Sequence, residues 1–178
     1  MIEIRWHGRG GQGAVTASEI LANATLRCDK YAQSFPAFGP ERRGAPVLAF
    51  TRIDDNPIEI RWQVAEPDLV VVLDASLLSV VNVTSGLKKE GIVILNTSKD
   101  STVVKKLFPN YKIAKADATS IALKNLGAPI TNTSMLGALL KAAPIVPLEI
   151  VSKAVEERFD PRNVASLKET YDSTEVLN

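Results

Sequence analysis

The chain has 178 residues, 21 basic and 20 acidic side chains, a formal net charge of +1, one histidine and one cysteine. That balance excludes a general electrostatic pull toward nucleic acid or an anionic membrane surface, and the length predicts one domain, residues 1–178, with a full core. One cysteine excludes an intrachain disulfide, and with one histidine it leaves too few ligands for an iron–sulfur cluster or a structural zinc built from this chain alone.

Ile2, Ile4 and Trp6 alternate with Glu3, Arg5 and His7, the period of a half-buried strand, and from Ala14 to Leu26 apolar residues recur at helical spacing. The alternating start does not resemble a secretory leader, and the longest aliphatic run, Leu69 to Leu73, is too short to cross a bilayer, so the expectation is a cytoplasmic protein. Between strand and helix lies His7-Gly8-Arg9-Gly10-Gly11-Gln12-Gly13, in which Gly8, Gly10 and Gly13 fill the positions of G-x-G-x-x-G. A strand turning into a helix aims backbone N–H groups and the positive end of the helix dipole at one point, where an anion fits. The alternative is that these glycines serve only a tight turn and close helix-to-strand packing. His7 ends the strand beside the turn, with no recognisable carboxylate or nucleophile to make it catalytic. Cys28, late in the helix pattern, reads as a packed thiol.

A second strand is predicted over Tyr31–Phe35, and it ends in Gln33-Ser34-Phe35 without the acidic residue that holds the ribose of a dinucleotide. The stretch Pro36 to Pro46 is broken by prolines and glycines and reads as a functional loop. Val47–Ile53 and Ile58–Trp62, flanking Asp54-Asp55-Asn56-Pro57, predict a β-hairpin. Leu69–Leu73 and Ile92–Leu95 are continuous apolar runs expected of parallel strands covered on both faces. Asp74 and Asn96 follow them, at the carboxyl ends where open α/β folds build sites. A helix over Ala75–Asn82, a turn over Gly86–Gly91, a strand over Tyr111–Ala116 and a helix from Asp117 to near Gly127 complete the middle of the chain. Three further helices start at Asn132-Thr133, Pro147 and Asp160-Pro161. The Met135, Leu136, Leu139, Leu140 stripe, with Gly137, Ala138, Ala142 and Ala143, fits core packing or a close subunit contact. The N-x-S/T triplets, such as Asn96-Thr97-Ser98, read as chance matches. The predicted fold is a three-layer α/β sandwich with a mainly parallel sheet, a β-hairpin insertion and a helical C-terminal third.

Four segments taken together, Gly8 to Gly13, Ser34 to Gly44, Glu66 to Asp74 and Asn132 to Ala138, closely resemble the gamma subunits of 2-oxoacid:ferredoxin oxidoreductases, with the pyruvate type the best match. The resemblance spans almost the whole chain. It implies a complex of alpha, beta, gamma and delta chains that oxidatively decarboxylates a 2-oxoacid, transfers the acyl group to coenzyme A and reduces ferredoxin. Thiamine diphosphate with magnesium, and iron–sulfur clusters, would be held by the other chains. In agreement, this chain has no cysteine set and no Gly-Asp-Gly segment leading to paired asparagines. The gamma domain would help position coenzyme A, whose phosphates suit a helix N-terminus and guanidinium groups. Gly8, Gly10, Gly11, Gln12 and Gly13 with Arg42 and Arg43 are the candidate binding residues; for the arginines a salt bridge to Glu41 or another subunit fits equally. No catalytic acid, base or nucleophile, no metal ligand and no nucleic-acid or membrane partner is expected. A self-contained NAD(P)-dependent dehydrogenase and a nucleotide-sensing module are the alternatives, and the identity of the 2-oxoacid is not legible.

Overall fold

The computed structural model describes residues 1–37 and 43–177. Its elements are β1 (Ile2–Arg9), α1 (Ala14–Leu26), β2 (Tyr31–Pro36), β3 (Pro46–Asp54), β4 (Leu69–Val72), a 3-10 turn (Ala75–Ser79), β5 (Ile92–Asn96), α2 (Ser101–Leu107), β6 (Lys112–Ala116), α3 (Ala118–Leu126), α4 (Asn132–Ala142), α5 (Leu148–Glu156), α6 (Pro161–Ser173) and β7 (Glu175–Leu177). The strands form one sheet in the order β2-β3-β1-β4-β5-β6-β7. The neighbours β1, β4, β5 and β6 run parallel, β3 lies antiparallel between β1 and β2, and β7 is antiparallel at the far edge.

The alternation of side chains along each strand builds two cores. Ile4, Trp6, Leu69, Val71 and Ile94 face α1, α4, α5 and α6, whereas Val70, Val72, Val93 and Leu95 meet Val83, Leu87, Val104 and Phe108 on the opposite face. Trp6 is fully buried, and its indole N–H donates to Thr51 Oγ1 at 3.0 Å, so the large ring enters the core without an orphaned donor. The three-layer α/β sandwich is therefore present, with one face thickly covered by helices and the other by α2 and irregular chain. Asp100, Asp117 and Asp160 accept from backbone N–H groups in the first turns of α2, α3 and α6, and Gly127 ends α3 in the left-handed conformation.

The hairpin lies one step earlier than the alternation of residues 58–62 predicts. β3 pairs with β2 on one side and β1 on the other, so neither of its edges is free for Ile58–Trp62. That segment runs without a ladder. Its carbonyls are taken by side chains instead: Gln33 Nε2 donates to Ile58 O at 2.8 Å, and Arg52 donates to Trp62 O at 2.6 Å and Ile60 O at 3.5 Å. The predicted helix over Ala75–Asn82 is a short 3-10 turn, because Val80, Val81, Val83 and Thr84 bring β-branched side chains that crowd a helix. The small-residue face of α4 is used within the chain: a side chain on Gly137 would collide with the backbone carbonyl of Leu167 in α6.

Candidate functional site

β1 leads into α1 on one face of the sheet, whereas the connections after β4 and β5 cross the other, since Ala14, Ala17 and Ile20 belong to one core and Val83, Leu87 and Val104 to the other. The chain therefore diverges between the adjacent carboxyl ends of β1 and β4, the place where open α/β sheets leave a crevice. A cleft of about 800 Å³ lies there, lined by Gly10, Gly11, Gln12, Arg43, Asp74, Ser76, Asn96 to Lys99, Asp117, Thr119, Ser120 and Pro129 to Thr131.

Of the predicted site residues, Gly10, Gly11, Gln12 and Arg43 line this cleft together. Gly8 lies beneath it in β1, opposite Val47, where an added Cβ would sit 3.1 Å from Ala14 Cβ; close helix-to-strand packing belongs to this glycine. Gly13 caps α1 at φ 78°, a left-handed backbone that favours glycine, and a Cβ there would meet Asn132 Nδ2 at 2.6 Å. Arg42 and Glu41 lie outside the described residues. The glycine turn is clamped to the segment that carries Arg43, because Gly10 N–H donates to Ala45 O at 2.9 Å and Gly44 N–H to Gly10 O at 3.2 Å. Gln12 N–H donates to Arg9 O at 2.9 Å. The Gly10 and Gln12 N–H groups, both expected as ligand donors, are thus already engaged within the protein.

Several cleft-side residues were not singled out as binding candidates from the sequence. The guanidinium of Arg9 donates to Ser76 Oγ and Gly44 O and lies 3.2 Å from Asp74 Oδ2. Gln12 joins the same network, accepting from Arg9 N–H at 2.7 Å and donating to Asp74 at 2.9 Å. Partial burial pushes the Asp74 carboxyl up, but hydrogen bonds from Ser76 and Gln12 and the Arg9 charge outweigh it and hold the group below its ordinary value. Asp74 is therefore an ionised anchor for the turn. Asn96, the last residue of β5, ties it to the end of β4 and to α3, donating to Leu73 O at 2.7 Å and Thr119 Oγ1 at 2.9 Å. Asp74 and Asn96 carried a signal, a polar residue directly after an apolar strand. Ser76 and Lys99 carried none, because loop positions have no periodicity.

His7 does not line the cleft. It is buried on β1, its Nε2 accepting from Arg5 Nε at 3.1 Å, and burial together with the Arg5 charge lowers its pKa to about 3. Among the described residues no group of three or more His, Cys, Asp or Glu side chains is placed to hold a metal, and no helix is long and apolar enough to cross a membrane.

Fold and cleft together define an open α/β domain with its crevice at the switch point of the sheet. A family model described as pyruvate ferredoxin/flavodoxin oxidoreductase matches residues 3–173. The chain is 55% identical to the pyruvate/ketoisovalerate oxidoreductases common subunit gamma of Pyrococcus furiosus, over 99% of both chains. It is 57% identical to the pyruvate synthase subunit PorC of Methanothermobacter marburgensis, over 89% of this chain and 87% of the relative. Its structure superposes on the crystal structure of the Thermotoga maritima pyruvate oxidoreductase subunit PORC with a TM-score of 0.89 and 44% identity, covering 99% of this chain and 98% of the other. The chain belongs to the pyruvate ferredoxin/flavodoxin oxidoreductase family, and within it to the gamma type.

Proposed function

We propose that this chain works in a thiamine-dependent 2-oxoacid:ferredoxin oxidoreductase of the cytoplasm, most directly one acting on pyruvate, beside alpha, beta and delta chains, and that its own task is to position coenzyme A. The carbon and electron chemistry belongs to thiamine diphosphate with magnesium and to iron–sulfur clusters on those partner chains. The observation that carries the reading is the cleft itself. It is of ligand size, and Arg43 and Lys99 reach it without a carboxylate partner among the described residues. Two carboxylates line it: Asp74 is held ionised by hydrogen bonds from Ser76 and Gln12 and by the Arg9 charge, and Asp117 accepts from Ser120 at the start of α3, so both are committed to holding the structure. Such a surface binds and orients. A phosphorylated thiol ester carrier such as coenzyme A suits it, with cations for its phosphates and hydroxyl and amide groups for its polar arm. That a relative is named a common subunit of pyruvate and ketoisovalerate oxidoreductases supports a chain that leaves the choice of 2-oxoacid to others.

The test is steady-state kinetics of the assembled complex carrying Arg42→Ala and Arg43→Ala. A charge-assisted contact to a phosphate is worth about 1.5 to 3 kcal/mol, so the KM for coenzyme A rises about tenfold or more while that for the 2-oxoacid stays within about twofold. An unchanged KM in a complex that assembles normally would refute the assignment, and failed assembly would give the arginines to a subunit interface.

A further inference from the structure

We propose that two copies of this chain pair edge to edge through β2, about a two-fold axis at Gln33, with Tyr31 of each copy seated beside Phe35 of the other. β2 is the outermost strand of the sheet, and among the described residues no strand lies on its outer side. Its backbone groups divide into two sets. Ala37 N–H donates to Leu48 O at 2.9 Å, and in an antiparallel ladder of this register the alternate residues Tyr31, Gln33 and Phe35 also spend their backbone groups on β3. The N–H and C=O groups of Ala32 and Ser34 therefore point outward. Pro36, next in the outward set, has no N–H, so the open ladder ends there.

An edge of this kind is a template for another strand unless charge or shortness blunts it. β7, at the far edge, is three residues long and carries Glu175, whereas β2 has six residues, Tyr31-Ala32-Gln33-Ser34-Phe35-Pro36, and no charge. The register says which strand fits. An antiparallel copy centred on Gln33 sets Ala32 against Ser34 of the copy and Ser34 against Ala32 of the copy, each pair exchanging both of its bonds. The side chains agree with this pairing. Ser34 bonds Ser18 of α1, which leaves Tyr31, Gln33 and Phe35 on the opposite face of the sheet, where a cavity of about 420 Å³ lined by Ala32 to Phe35, Ile60 and Arg61 opens beside the strand. Tyr31 is 46% exposed. The two-fold axis sets it opposite Phe35 of the copy, at that cavity, so an exposed ring and a hollow on the same uncharged strand are exchanged between two copies and the contact closes on itself. No residue of β2 lines the cleft, so pairing and ligand binding use separate surfaces.

The experiment measures the mass of the purified full chain by sedimentation equilibrium and traps the pair by disulfide, in a Cys28→Ser background so that the native thiol takes no part. In the two-fold register Gln33 faces its own copy as a non-hydrogen-bonded pair, with Cα atoms about 4.5 Å apart, within the reach of a disulfide. The two Tyr31 residues stand on opposite sides of the axis, roughly 14 Å apart along the strands. Gln33→Cys should therefore give a covalent dimer on mild oxidation, and Tyr31→Cys should not. Ala32→Pro removes one outward N–H per copy without touching the β3 ladder, so the dimer should dissociate at least about tenfold more readily, with the circular dichroism of the chain unchanged. A wild-type chain that sediments as a monomer throughout overturns the proposal. So does a dimer that Ala32→Pro leaves intact, or cross-linking of Tyr31→Cys as readily as of Gln33→Cys, either of which places the contact elsewhere. The same oxidation of Gln33→Cys in the assembled complex should link two copies of this chain; a link to a different chain would give the edge to that partner and overturn the pairing.

Discussion

Burial makes His7 a one-way sensor of acid. The unfolded chain takes up its proton near pH 6.5, whereas the folded chain, with Arg5 already donating to the imidazole, resists until about pH 3. Between those values the unfolded state binds the extra proton, so stability falls as pH falls, by about 1.4 kcal/mol per pH unit at full slope. His7→Gln keeps an acceptor for Arg5 and removes the titration. Unfolding free energies from urea titrations at pH 7 and pH 4.5 should therefore differ by about 2 kcal/mol less in the variant than in the wild type. Identical pH dependence would show that His7 protonates freely in the folded chain. The alternation of Ile4 and Trp6 with Arg5 and His7 was legible in the sequence. The facts that decide its chemistry were not, because the carbonyls of Val83 and Ser85 that hold Arg5 come from distant chain.

Among the elements, β3 owes its place to Arg52. Its side chain is fully buried, paired with Glu3 at 2.8 Å, stacked 5.2 Å over the Phe35 ring and bonded to the carbonyls of residues 60 and 62. One guanidinium thus ties β1, β2 and the unladdered segment to the sheet. Removing it leaves a carboxylate and two carbonyls without partners, so Arg52→Met should cost about 3 to 5 kcal/mol in denaturant titration. A loss below about 1 kcal/mol would mean that water reaches those groups. Strands and helices with a clean period, from β1 and α1 to α6, could be read from the sequence because their own residues carry the pattern. The 58–62 segment misled because its alternation, half-buried Ile58 and Ile60 against exposed Glu59 and Arg61, says nothing of pairing, which depends on whether a neighbouring edge is open. α2 and β7 are short, and α2 shows only Val104 to its core.

Across the whole molecule, strand order separates a coenzyme A reading from a dinucleotide one. In the dinucleotide fold the strand after the first helix lies beside the first strand and brings its acid to the ribose. Here β3 intervenes, so the end of β2 stands two strands, roughly 10 Å, from β1 and carries Pro36 where the acid would be. The crevice opens toward β4, β5 and β6 instead. The glycine turn and the polar residues after β4 and β5 marked the site in the sequence. That Gln12 and Arg9 serve as internal struts, and that Asn132 meets Gly13 across more than a hundred residues, needed the fold.

The most direct test of coenzyme A positioning by this chain is hydrogen exchange of the assembled complex with and without coenzyme A. The account predicts slowed exchange at the amides of residues 10 to 12 and 97 to 99, which line the cleft, with the edge strand β2 unchanged. Protection confined to the partner chains, with the cleft of this chain exchanging at its free rate, would contradict it.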